Sequence, residues 1–366
     1  MSDRLRGLVR PELLAEHAYG VPGAHAPIRL DANESAWPLS DRGRDLLQAA
    51  FRKIEAHRYP DPNATALREI VADRFHARAE EVVFGSGSDE LIALLSTALS
   101  APRAGRSRAT ILIPTPTFVM YAITARAHGL QSVEVPLNAE FDLDAGAMEA
   151  AIHEHAPHLV YFATPNNPTG NAYREDVMRA LIADHPDTLF VIDEAYAAFQ
   201  GKSLSSWFDA FPNVAIMGTL SKIGFAAARV GWIRLPHSLA VELNKARQPF
   251  NLNAYSQAVG ELAFTQLADE IQANVAVCMR ERTRVYEAMH SMAGIRVHPS
   301  SANFHFAYST RNADDVRATL LKSGISVRSF QKHGGRLANA LRISVGTPDE
   351  NTQLLAALPA ALVEPR

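Results

Sequence analysis

Between residues 81 and 234 the chain repeats one pattern: a short apolar run, a turn of small and polar residues, then a segment of helical length. The runs are Glu81–Phe84, Thr110–Ile113, Ser132–Val135, His158–Phe162, Leu189–Ile192, Val214–Met217 and Val230–Arg234. Strands apolar on both sides belong inside a sheet whose two faces are covered, and such sheets are mostly parallel, with helices as crossovers. The expected fold class is α/β, with a mostly parallel central sheet under helices. After Leu235-Pro236 the pattern changes. Helices dominate residues 238–292, broken at Pro249, and short strands mixed with helices follow from Ile295. That predicts a smaller α+β domain, and 366 residues are more than one core usually organises. The expected division is an N-terminal arm over 1–44 that joins the small domain, a large domain over 45–240 and the small domain over 241–366. A helix over Asp41–His57 and a second one bearing Leu67, Ile70, Val71 and Phe75, capped by Asn63 or Thr65, lead into the large domain.

Composition excludes some function classes. A net charge of −3 without a basic stripe offers nothing to nucleic acid or to an anionic membrane. The apolar stretch Leu91–Ala101 is too short to cross a bilayer. Cys278, the one cysteine, forms no internal disulfide, and no metal site is expected. Met1–Arg6 leads into a charged segment and not an apolar leader, so a cytoplasmic location is expected.

In open α/β sheets ligands bind beyond the carboxyl ends of the strands. The strand ends here carry polar residues, each with a plain reading beside a functional one. Lys222 follows the apolar run Val214–Met217. It is either a surface lysine in a loop or a desolvated amine able to act as a nucleophile. Gly85-Ser86-Gly87-Ser88-Asp89-Glu90 is either an ordinary helix start or a place where backbone amides meet an anion. Asn167, in Asn-Asn-Pro-Thr-Gly, suits a polar turn. Asp193 directly follows four apolar residues and needs a partner. Tyr196, three residues on, reads alone as a core tyrosine. Together the order is anion loop, amide, carboxylate, phenol, hydroxyl (Ser221), lysine and arginine (Arg229). Those are the parts that pyridoxal phosphate needs, with Phe118 placed to stack on its ring.

The same order resembles the fold-type-I aminotransferases: Asn-Pro-Thr-Gly at 167–170, Asp-Glu-Ala-Tyr at 193–196, and Thr-Leu-Ser-Lys at 219–222 with Arg229 downstream. Leu-Asp-Ala-Asn-Glu at 30–34, Arg-Tyr-Pro-Asp-Pro at 58–62, Gly-Ser-Asp-Glu at 87–90, Gly-Ile-Ser-Val-Arg at 324–328 and Leu-Arg-Ile-Ser-Val-Gly-Thr at 341–347 narrow the resemblance to the histidinol-phosphate aminotransferases. The resemblance implies a pyridoxal 5'-phosphate enzyme in which Lys222 is the Schiff-base lysine and general acid/base. It implies that Asp193 holds the pyridinium proton, that Tyr196 and Asn167 bind the ring oxygen, and that Phe118 stacks. Ser88, Asp89, Ser221 and Arg229 would hold the cofactor phosphate, helped by Tyr59 reaching over from the second subunit of a homodimer. Arg342, Arg328, Tyr19 and Asn33 would hold the substrate. The implied reaction is transamination between L-histidinol phosphate and 2-oxoglutarate. An aromatic or broad-range aminotransferase and a phospho-amino-acid decarboxylase are the rival readings on the same scaffold. A cofactor-binding regulator is disfavoured because the chain lacks room for a DNA-binding domain before residue 30. The chain departs from the family at Ser35-Ala36-Trp37, where Asn-Pro-Tyr is commoner, and at Ala227 or Ala228, where Gly is usual.

Overall fold

The computed structural model describes residues 3–15 and 26–363. Among the described residues, twelve strands form two sheets. Strands β2 (Val82–Ser86), β3 (Thr110–Thr115), β4 (Gln131–Pro136), β5 (Leu159–Ala163), β6 (Leu189–Asp193), β7 (Val214–Thr219) and β8 (Val230–Arg234) make a seven-stranded sheet in the order β2-β8-β7-β6-β5-β3-β4. Strands β1 (Ile28–Leu30), β9 (Ile295–Val297), β10 (Phe304–Ser309), β11 (Ile325–Ser329) and β12 (Ala340–Ser344) make a five-stranded sheet in the order β1-β11-β12-β10-β9.

The large sheet is buried on both faces, as continuous apolar strands require. On β5, Val160 and Phe162 enter one core while Leu159, Tyr161 and Ala163 enter the opposite one. This is the two-residue period of a strand, with apolar side chains at both phases. Burial of each such leucine or phenylalanine contributes roughly 1.5–3 kcal/mol. Strands β3 to β7 pair in parallel, whereas β8 is antiparallel to both β7 and β2. The reversal is made at residues 221–229, where a short helical turn ends at Arg229 with φ 53°. Strand β2 thus points the same way as β7. The carboxyl ends of β2, β3, β5, β6 and β7 all open on one edge.

The small sheet takes up part of the N-terminal segment. Strand β1 lies parallel to β11, with Arg29 opposite Ser326 and Leu30 opposite Val327. This register carries Asp31 to Asn33 alongside the strands that bear Arg328 and Arg342. Two local expectations need correction. The helix expected over Asp41–His57 covers Asp41–Phe51 and stops short of His57. The next covers Thr65–Arg74 and is entered through Ala64 in the left-handed region without a side-chain cap. Asp61 does that work, accepting from the Thr65 and Asn63 amides at 2.7 and 2.9 Å. No helix among the described residues is long and apolar enough to cross a membrane.

Candidate active site

The shared edge of the large sheet faces the small sheet across a cleft of about 700 Å³. Its deeper part lies against Asp193, Ser221, Ser88 and Pro165, and its mouth lies against β11, β12 and the helix Ala313–Lys322. Phe118, Asn167, Tyr196, Lys222, Arg229 and Asp89 line both parts.

Asp193 ends β6 and is 6% exposed. Tyr121 donates its hydroxyl to Oδ2 at 2.6 Å, and the Ala195 amide donates to Oδ1 at 2.9 Å. No lysine or arginine among the described residues forms an ion pair with it. Burial accordingly pushes its carboxyl above the ordinary range, although both hydrogen bonds pull the other way. Tyr121 is held flat against Tyr161, ring centroids 4.2 Å apart, and meets Phe118 edge-on at 5.5 Å. Its own hydroxyl is raised far above the usual phenol range by burial, then by the nearby Asp193.

Lys222 is half-buried and makes no hydrogen bond or ion pair among the described residues. Its Nζ lies 5.8 Å from the centre of the Tyr196 ring. The structure places this lysine inside the cleft, on the turn that follows β7. Tyr196 is buried, and its hydroxyl accepts from Asn33 Nδ2 at 2.9 Å. Asn33 adopts φ 54° and is fixed by Ser344 and Asn303. Of the two adjacent asparagines, Asn166 is fully buried and builds the turn through Thr117, Thr169 and the Pro116 carbonyl. Asn167 faces the cleft, where its Oδ1 accepts from Arg342 at 2.6 Å.

The glycine-serine loop opens the helix Ser88–Ala98. Gly87 has φ 77°, and a Cβ there would come within 2.5 Å of the Arg229 guanidinium. A Cβ on Gly231 would come within 2.5 Å of the Gly87 backbone. The two glycines thus let β8 and the Arg229 side chain press onto the start of this helix, where backbone amides favour an anion. Arg229 pairs with Asp89 at 3.1 Å. The Thr219 hydroxyl lies 2.9 Å from Ser221 Oγ and holds it at the same corner. Among the expected phosphate residues, Ser88, Asp89, Ser221 and Arg229 meet here.

On the small sheet, Arg328 and Arg342 stand directly opposite each other across β11 and β12. Like charges in that position repel. Arg342 is anchored by Asn167 and by the Asp31 carbonyl at 2.7 Å. An anion between the two arginines removes the repulsion. Tyr59 lies elsewhere: it is 81% exposed, stacked on Phe250 with centroids 4.4 Å apart, and outside the cleft lining. Tyr19 lies outside the described residues. Tyr121, Arg317 and Lys332 line the cleft without having been singled out from the sequence. Tyr121 carried one signal, an aromatic three residues after Phe118 on a helical stretch.

A lysine, a buried carboxylate and a helix start suited to an anion, together on one edge of an α/β sheet, fit a cofactor-dependent transferase. The chain belongs to the aminotransferase class I and II family, whose model matches residues 27–358. It is 39% identical over 360 residues to histidinol-phosphate aminotransferase 2 of Cupriavidus pinatubonensis, covering 97% of this chain and 96% of that one. It is 37% identical over 367 residues to histidinol-phosphate aminotransferase 1 of Ralstonia nicotianae, covering 99% and 96%. Its fold matches the crystal structure of histidinol-phosphate aminotransferase from Sinorhizobium meliloti in complex with pyridoxal-5'-phosphate, with TM-score 0.83, 24% identity and 96% of each chain covered.

The family depends on pyridoxal phosphate, and the residues present suit that group. The test is Asp193. A buried carboxylate with two donors and no direct ion pair among the described residues, felt only at a distance by Lys222, is costly alone, and a protonated ring nitrogen would supply a direct counter-charge. The donors at Ser88, Ser221 and Arg229 match a phosphate at the other end of the same pocket.

Proposed function

We propose that this chain transfers the amino group of L-histidinol phosphate to 2-oxoglutarate, giving imidazole-acetol phosphate and glutamate. One observation carries the reading: a single cleft joins Lys222 and Asp193 to the opposed pair Arg328 and Arg342. The first pair suits amine chemistry, and the second suits an anion at the far end of the substrate. The relatives named for this reaction, 37–39% identical along nearly the whole chain, support the choice of substrate over an aromatic aminotransferase. The same relatives support it over a phospho-amino-acid decarboxylase.

Pyridoxal phosphate, when bound, supplies an electron sink that lets an amine lose its Cα proton. The residues of the chain do the rest. Asp193 holds a proton on the ring nitrogen, and Tyr121 with the Ala195 amide keeps Asp193 in line for it. Lys222 Nζ would take the Cα proton and return it to the carbon on the other side of the transferred nitrogen, as general base and then general acid. Its lack of an ion-pair partner among the described residues leaves the amine free to do so. Tyr196, oriented by Asn33, and Asn167, oriented by Arg342, hold the ring oxygen. Phe118 covers the ring face, and Ser88, Asp89, Ser221 and Arg229 fix the phosphate end. Arg342 and Arg328 take the substrate anion, phosphate in one half-reaction and carboxylate in the other.

The division into an arm over 1–44, a large domain over 45–240 and a small domain over 241–366 belongs to the same reading. So does a homodimer in which Tyr59 reaches the neighbouring cleft. The exposed Tyr59–Phe250 stack supports it, because such an aromatic pair is suited to cover by a second subunit.

The test is a half-reaction screen. Histidinol phosphate, histidinol, glutamate and aromatic amino acids are each mixed with the loaded enzyme, and the cofactor spectrum is followed. Histidinol phosphate and glutamate are expected to convert it, and histidinol to do so far more slowly. Equal conversion by histidinol and histidinol phosphate overturns the substrate assignment.

A further inference from the structure

Beyond Arg328 and Arg342 the mouth of the cleft carries Asp314, Arg317 and Lys332. The charges divide unevenly. Asp314 pairs with Arg317 at 3.8 Å, and Asp89 pairs with Arg229. Lys332 has no carboxylate partner among the described residues. It is exposed, yet it does not sit on a loose tail. The preceding residue, Gln331, accepts from the Ala313 and Asn339 amides at 3.3 and 2.9 Å and donates its own amide to Ser329 Oγ at 3.1 Å. The His333 amide closes the turn on the Phe330 carbonyl at 2.9 Å. Four residues on, Arg336 crosses to the large sheet, bonding the Leu137 and Asn138 carbonyls and lying over Phe141 at 4.4 Å. The turn bearing Lys332 is thus clamped from both sides and held at the cleft mouth.

We infer that Lys332 is the residue by which this cleft distinguishes a phosphate monoester from a carboxylate. The inference rests on the aminotransferase reading above. The cleft must accept in turn an amino donor that ends in a phosphate and an amino acceptor that ends in carboxylates. Arg342 and Arg328 can fork onto both oxygens of a carboxylate. A phosphate monoester carries up to two negative charges and three acceptor oxygens. Two guanidinium forks leave the third oxygen of a phosphate open to one more donor, and Lys332 lines the same cleft as both arginines. Lys332 is a compact ammonium on a fixed backbone, suited to that third oxygen, which a carboxylate lacks.

The experiment is steady-state kinetics of the loaded enzyme, Lys332→Met and Lys332→Arg, with each substrate varied separately. In Lys332→Met the KM for histidinol phosphate is expected to rise about five- to tenfold, the size of one screened charge-assisted contact. The KM values for glutamate and 2-oxoglutarate stay within about twofold, and Lys332→Arg recovers most of the loss. Inorganic phosphate, titrated calorimetrically into the loaded enzymes, should bind the wild type more tightly than Lys332→Met, and the gap should shrink in high salt. An equal rise of KM for all substrates, or no rise for histidinol phosphate, overturns the inference. A wild type that does not turn over histidinol phosphate overturns the substrate reading instead, so the two failures are told apart.

Discussion

Tyr121→Phe isolates the hydrogen bond that serves Asp193. The substitution keeps the ring that stacks on Tyr161 and touches Phe118, and removes only the hydroxyl that lies 2.6 Å from Asp193 Oδ2. A hydrogen bond to a charged group contributes about 1.5–3 kcal/mol. Asp193 would keep only the Ala195 amide, and its carboxyl, already raised by burial, would rise further. The sign follows from linkage. A carboxyl raised in the folded state holds its proton longer than in the unfolded chain, so its ionisation destabilises the fold as pH rises through the folded value. The variant should therefore lose the most stability, roughly 1.5–3 kcal/mol, at pH 8. The loss should narrow toward pH 4, where Asp193 is protonated and only a neutral bond of about 1 kcal/mol is missing. Urea unfolding of the cofactor-free enzyme at several pH values measures this. A pH-independent difference, or one below about 0.5 kcal/mol at pH 8, refutes the argument that Tyr121 stabilises an ionised Asp193.

Gly87→Ala forces a side chain into φ 77° and within 2.5 Å of Arg229, and is expected to weaken cofactor retention about tenfold or more, read by dialysis against a competing trap. Arg342→Met removes a cation held by Asn167 and Asp31, and should raise KM for phosphate and carboxylate substrates alike by about ten- to a hundredfold, with Arg342→Lys recovering little. His305 is fully buried, both ring nitrogens lack a partner among the described residues, and burial pulls its pKa down to about 3. The unfolded chain binds that proton below about pH 6.5 and the folded one does not, so stability falls as pH drops from there. His305→Leu should flatten the slope of unfolding free energy between pH 6 and 4 by up to about 1.4 kcal/mol per pH unit, and an unchanged slope counts against it.

The strand ends were legible because apolar runs mark buried strands and the next polar residue then lies at the sheet edge. Asp193 follows from that rule, whereas Lys222 lies beyond Thr219 and Ser221 on the turn after its strand. The direction of β8 was not legible, since an apolar run looks the same read either way along the sheet. Asp61 as the helix-entry residue was hidden by its neighbours Asn63 and Thr65, which are cap formers too and lie nearer the helix. Tyr121 and Lys332 depend on contacts across long stretches of chain: Tyr121 meets Asp193 from 72 residues away. Periodicity gives the face of a helix, not what that face meets. Asn166 and Asn167 show the same limit, because a single step along the chain separates a turn-building amide from one in the cleft.

Lys222 is the residue on which the proposed chemistry depends. Reduction of the loaded enzyme with borohydride, followed by peptide mapping by mass spectrometry, tests this directly. The account predicts a single pyridoxyl-phosphate mass addition on the peptide containing Lys222, and none in Lys222→Ala. Addition at another lysine, or a Lys222→Ala enzyme that keeps both the label and its transaminase activity, contradicts it.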